Sequence, residues 1–186
     1  MRLYLGLLHY PVYNRNHETI TSAITNFDLH DISRLGRTYG VKIFFVITPL
    51  EDQRKFAERI IKHWIKGYGA IYNKDRKEAI ELVKIIPSLK ESERIIEEIE
   101  GEKPLLIATD ASLHPDKTVT YSSTRDFIKN ERVVYILFGT AWGLHQEILE
   151  KADLILAPVK GNGNYNHLSV RTAAGIILDR LVGKHN

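Results

Sequence analysis

The chain has 186 residues, 44% hydrophobic and 26% charged, which suits one soluble domain spanning 1–186 and is short for two. Twenty-six Lys and Arg against 23 Asp and Glu give a net charge of +3, a weak lean toward an anionic partner such as nucleic acid. Zero cysteines exclude a disulfide framework, a thiolate metal site and a cysteine nucleophile.

No apolar run approaches the length that crosses a bilayer, and the opening Met-Arg-Leu-Tyr-Leu-Gly lacks the pattern of a secretory leader. The expected location is therefore cytoplasmic, with no membrane partner. In chain order, residues 2–8 read as a strand and 9–19 as a loop punctuated by Pro11, Asn14 and Asn16. Asn26 is placed to cap a helix that runs to about Tyr39 and ends at Gly40. Residues 41–47 form an apolar, β-branched run of the kind buried on both faces of a sheet, stopped by Pro49. Residues 51–66 are amphipathic, with Phe56, Ile60, Ile61, Trp64 and Ile65 on one side. A further helix starts at Asn73 or Asp75, and a short strand covers 83–87.

Ser88 and Glu91 make a capping box for a helix to about Glu100, which Gly101 ends. Residues 105–108 are a strand and 109–120 a polar loop. Ser122 or Ser123 caps a short helix to Lys129, and 133–138 is another buried-type strand. A glycine turn at 139–143 leads to a helix ending near Lys151. The last strand, 154–157, is stopped by Pro158. After a loop dense in Gly and Asn (Gly161, Asn162, Gly163, Asn164), Asn166 or Ser169 opens the final helix. Strand and helix alternate throughout, which predicts a mostly parallel sheet with helices on both faces. Ligands in such sheets bind beyond the carboxyl ends of the strands. Those ends carry Thr48–Pro49 and the loops 109–112, 139–143 and 158–168.

Four constellations could carry chemistry. Gly139 to Gly143 is a strand-to-helix turn without the Gly-Lys-Ser/Thr ending of a phosphate loop; a plain tight turn explains it equally well. The 158–168 loop offers free backbone donors near a helix start, although flexible surface loops look the same. Asp28, His30, Asp31 and Arg34 crowd about two turns of one helix. Neighbours on a helix do not converge on a metal, so a charged surface is the leading explanation. Lys55, Arg59, Lys62 and Lys66 recur at helical spacing. Such a stripe can follow a phosphate backbone, but the solvated side of an amphipathic helix is preferred here.

Three of these regions together resemble the SPOUT superfamily of S-adenosylmethionine-dependent RNA methyltransferases, the α/β trefoil-knot enzymes. Residues 28–41 (Asp-Leu-His-Asp-Ile-Ser-Arg-Leu-Gly-Arg-Thr-Tyr-Gly-Val) look like its first motif. Residues 136–144 (Ile-Leu-Phe-Gly-Thr-Ala-Trp-Gly-Leu) are similar to the glycine-rich second. Residues 156–170, from Leu-Ala-Pro-Val-Lys-Gly to Asn-His-Leu-Ser-Val, resemble the third. The nearest likeness is to a bacterial subfamily with the signature Tyr-Asn-His-Leu-Ser-Val-Arg, found here at 165–171. Some members of that subfamily neighbour or are fused to a tRNA guanine-N1 methyltransferase. The chain departs from the superfamily pattern in having Asp28 where Asn is usual, and in its third motif.

The resemblance implies a deep C-terminal trefoil knot, a homodimer and an RNA substrate, tRNA or rRNA, methylated on a ribose oxygen or base nitrogen. It implies a cofactor site built from Thr109, Asp110 and Ala111, from Phe138, Gly139 and Gly143, and from Leu156, Pro158, Gly161, Asn166, His167 and Leu168. Arg34 matches the motif arginine that orients or activates the acceptor. Asp28 could be a base, or only a carboxylate favoured by the helix dipole. No metal is expected. The rivals are a catalytically silent SPOUT module that assists another enzyme and, more distantly, a metal-dependent phosphohydrolase on Asp28, His30 and Asp31.

Overall fold

The computed structural model describes residues 1–163 and 165–184; Asn164 of the Gly/Asn loop lies outside them. The chain runs β1 (Leu3–Leu8), a small hairpin of β2 (Val12–Tyr13) and β3 (Thr19–Ile20), α1 (Asn26–Thr38), β4 (Ile43–Ile47), α2 (Glu51–Lys66), α3 (Tyr68–Tyr72), α4 (Lys74–Ile80) and β5 (Val83–Ile86). It continues through α5 (Leu89–Glu100), β6 (Leu105–Thr109), β7 (Thr118–Val119), α6 (Tyr121–Lys129), β8 (Val134–Gly139), α7 (Gln146–Lys151), β9 (Leu154–Leu156) and α8 (Val170–Val182).

Seven strands form one sheet in the order β5-β4-β1-β8-β6-β9-β7. Every pairing in it is parallel. The central strands are therefore flanked by helices and buried on both faces, which is why their sequences are almost continuously apolar, while the edge strand β5 leaves Lys84 exposed. Period-two alternation still sorts the side chains. Leu3, Leu5 and Leu7 of β1 join one core with Leu29 and Ile32 of α1, Ala57 of α2, Ile80 of α4, Ile128 of α6 and Ile177 of α8. Tyr4 and Leu8 join the other with Leu89 and Ile96 of α5 and Ile148 and Leu149 of α7. Because all seven strands point the same way, the carboxyl ends of β1, β6, β8 and β9 meet at one edge of the molecule.

The structure corrects several local expectations. Thr25, not Asn26, caps α1: its hydroxyl accepts from the Asp28 backbone N–H at 3.1 Å, the third helical residue, as capping geometry requires. Thr120 takes the place expected of Ser122 or Ser123 and accepts from the Ser123 N–H at 3.1 Å. Of the two residues expected to open α8, it is Ser169 that caps it, through the Thr172 N–H. The helix expected directly after Gly143 starts later, behind His145. The short α3 and β7 fall where no element was expected. The 9–19 segment holds the antiparallel hairpin β2–β3.

Candidate functional site

The strand ends are fixed before the loops begin. At the end of β6, Thr109 donates its hydroxyl to the Leu137 carbonyl of β8 at 2.9 Å. Asp110 then folds the next turn: it accepts from the Ser112 N–H at 2.9 Å and pairs with His114 Nε2 at 2.8 Å. The Ala111 carbonyl accepts from the Asn166 side-chain amide at 3.0 Å. That bond joins the loop after β6 to the loop after β9.

The turn after β8 is closed by two backbones in contact. A Cβ on Gly139 would lie 2.6 Å from the Leu144 nitrogen and 2.8 Å from the Gly143 carbonyl carbon, so only glycine fits. The β2 segment braces this turn from outside. Tyr13 N–H donates to the Gly143 carbonyl at 3.1 Å, and Trp142 N–H donates to the Tyr13 carbonyl at 2.9 Å. From inside, Thr140 donates to the Leu8 carbonyl at 3.0 Å and bonds Ser22 at 2.5 Å. Ser22 in turn bonds His9 Nδ1 at 2.9 Å. His9 has no exposed surface. Burial lowers its pKa to about 4, with Asp28 pulling weakly the other way, so the ring is neutral near pH 7.

These loops enclose a cavity of about 970 Å³ with the start of α1. Phe138 and Leu156, each 1% exposed, form its floor, while Trp142 at 60% and Leu168 at 43% stand at its mouth. Thr109, Asp110, Ala111, Gly139, Gly143, Pro158, Asn166 and His167 also line it. So does Asp28, which is buried, accepts from the Thr25 hydroxyl at 2.6 Å and faces the Arg171 guanidinium at 3.4 Å.

Two candidate residues lie elsewhere. Arg34 is exposed on α1 and does not line the cavity, and Gly161 is exposed beyond its rim. Asp28, His30 and Asp31 do not gather. Arg171 bridges Asp28 and Asp31, whereas His30 packs edge-on to Trp64 at 5.3 Å. Among the described residues there is no group of three or more His, Cys, Asp or Glu placed to hold a metal ion.

Sequence reasoning missed the wall made by Arg15, Ser22, Ala23 and Thr25. Thr25 had a visible signal, a threonine three residues before an acid at a helix start. Arg15 and Ser22 had none, because the hairpin that places them is held by backbone bonds to a distant turn. Trp142 lay within the glycine turn, but its role at the mouth was not legible.

The residues fit a nucleoside-type cofactor. The cavity combines backbone groups at three strand ends, the Asp110 and Asn166 side chains, and an apolar floor, and it is of the size that holds such a ligand. The comparisons with known proteins agree. A tRNA (guanine-N(1)-)-methyltransferase of Oleidesulfovibrio alaskensis is 41% identical over 97% of this chain, which spans 42% of that protein's length. An uncharacterized protein of Aquifex aeolicus is 39% identical over 98% of this chain and 89% of its own. A probable methyltransferase of Bordetella pertussis superimposes with a TM-score of 0.61 at 16% identity, over 97% of this chain and 94% of that one. Residues 2–183 match the family described as SAM-dependent RNA methyltransferase, and the chain belongs to it.

Proposed function

We propose that this chain methylates a tRNA or rRNA nucleotide in the cavity at the strand ends. One observation carries the reading: the loops after β6, β8 and β9 meet the start of α1 around a single cavity. Backbone groups of 109–112 and 139–143, with Asn166, would hold the cofactor's polar atoms. Phe138, Leu156 and Leu168 would cover its apolar surface. When bound, S-adenosylmethionine supplies an electrophilic methyl group on a sulfonium centre. The protein's task is to align the acceptor and take its proton. Asp28, buried in the cavity wall, would take the proton, and Arg34 would orient the acceptor.

Arg34 does not line the cavity of its own chain, so this role requires a second subunit. We therefore take the working form to be a homodimer built on α1 and α8. Phe27 of α1 is 67% exposed. On α8, Ile176 is only half-buried on the single chain and does not line the cavity. Both observations support a partner there. A knotted threading of α8, and membership of the subfamily marked by residues 165–171, belong to the same proposal. So does the cytoplasmic location: among the described residues no helix is long and apolar enough to cross a membrane.

The chain spans 42% of the length of the curated tRNA (guanine-N(1)-)-methyltransferase that it matches at 41% identity. A substrate in tRNA, shared with such an enzyme, is the version we favour. Thermal unfolding tests the site. At S-adenosylhomocysteine near 100 times its Kd, the unfolding temperature should rise by about 5–10 °C, and a chelator should change nothing. No shift with either the cofactor or its demethylated product would overturn the reading.

A further inference from the structure

Away from the cavity, α2 and α3 carry a surface that the methyl-transfer reading leaves unused. From Arg59 to Lys74 the sequence holds four Lys and Arg and no carboxylate, whereas the whole chain has a net excess of only three. Lys55 is paired with Glu51 at 2.7 Å. Among the described residues, Arg59, Lys62, Lys66 and Lys74 have no carboxylate within 4.0 Å. Lys55, Arg59 and Lys62 line a shallow groove, interrupted by Glu58.

In sequence, this cationic stripe is followed directly by aromatic rings. Tyr68 is 72% exposed, Ile71 80% and Tyr72 74%. The two tyrosine rings lie 26° from parallel, with centroids 6.0 Å apart. The short helix that presents them is seated firmly. A Cβ on Gly69 would meet the Trp64 ring at 2.7 Å, and the Arg76 guanidinium covers that ring at 4.6 Å. Three large apolar side chains left in water on five residues need a partner. Bare cations leading to flat, open rings are the two components of single-strand recognition: phosphates on the cations, bases on the rings.

We propose that the 59–74 surface binds a single-stranded segment of the RNA, its bases stacking on Tyr68 and Tyr72 and its phosphates running along Lys66, Lys62 and Arg59. The proposal rests on the RNA-methylating reading and adds a second contact, separate from the cavity. The surface selects unpaired RNA, since a duplex hides the base faces that the tyrosines need.

Fluorescence anisotropy with a labelled oligouridylate, and with an RNA duplex of equal length, tests this. The Tyr68→Ala/Tyr72→Ala variant should bind the single strand about ten-fold more weakly, and Tyr68→Phe/Tyr72→Phe should bind it like the parent. Replacing Arg59, Lys62 and Lys66 by Gln should lower the slope of log affinity against log salt by about 2. All these side chains are exposed, so the variants should keep the parent's unfolding temperature and cofactor affinity. Unchanged oligouridylate binding in the double-alanine variant overturns the proposal. So does a parent that prefers duplex, or a variant altered only in sedimentation, which would make the patch a subunit contact. If the parent binds no S-adenosylmethionine, it is the methyltransferase reading that fails. If cofactor binding and methyl transfer persist while the alanine variant binds RNA normally, only this surface fails.

Discussion

His9 follows β1 with no exposed surface, and among the described residues its Nε2 has no hydrogen-bond partner. Its pKa in the folded protein is about 4, against an ordinary value of 6.5. The unfolded chain therefore binds a proton at a pH where the folded chain does not. Stability from this group is full above pH 6.5 and is lost as pH falls toward 4. The loss is on the order of 3 kcal/mol. Unfolding temperature measured from pH 7 to pH 4 should fall for the wild type and fall less for His9→Gln; equal slopes would place the acid sensitivity elsewhere. Gly139 makes a different demand, since its Cβ would strike backbone at 2.6 Å. Gly139→Ala should open the 139–143 turn and weaken S-adenosylhomocysteine binding at least ten-fold by calorimetry, with the fold retained. At this scale the sequence showed the residues at strand ends, because Pro, Gly and Thr mark where strands stop. It could not show Arg15 or Ser22, which reach the cavity only through the hairpin's bonds to residues 142 and 143.

Among the elements, β1 has the strictest packing. Gly6 faces the core of Tyr4 and Leu8, and a Cβ there would come within 2.6 Å of the Tyr135 hydroxyl, itself bonded to Ser92 at 2.9 Å in the interior. Gly6→Ala should cost about 1–3 kcal/mol, read as a lower denaturant midpoint at unchanged slope. The opposite end of the sheet is tied by Glu100. It accepts from Arg2 Nε at 2.7 Å, Lys42 at 2.7 Å and Tyr4 at 2.5 Å. Burial alone would raise its pKa, but these three donors win and hold it near 2. That stabilisation is present above about pH 4.5 and is lost as pH falls toward 2, a window below that of His9. Glu100→Gln should lower stability at neutral pH by about 2 kcal/mol, measured by the same denaturant titration. Strands and long helices were legible because their apolar periods are long, and α2 fell at residues 51–66 as read. The β2–β3 hairpin was not, since two residues per strand give no period. The cap of α1 lies one residue before the expected Asn26 because Thr25 and Asn26 are both good caps and only geometry chooses.

For the whole molecule, the parallel sheet follows from its alternating pattern, and one consequence is that separate loops converge at one edge. The family resemblance puts Arg34 beside the acceptor, yet it stands outside its own chain's cavity. A single sequence does not show which surfaces another copy covers. If the working form is the proposed dimer, sedimentation should give twice the chain mass. Arg34→Ala and Asp28→Asn, each nearly inactive alone, should partly restore activity when mixed and refolded together. No recovery from a mixture shown to contain heterodimers would remove Arg34 from the partner's site. Methyl transfer to RNA is tested most directly by the transfer of labelled methyl from S-adenosylmethionine to bulk RNA from cells lacking this protein. Label is expected in the tRNA or rRNA fraction, strongly reduced by Asp28→Asn; a protein that binds the cofactor yet labels no RNA from such cells would contradict methyl transfer and leave a silent module.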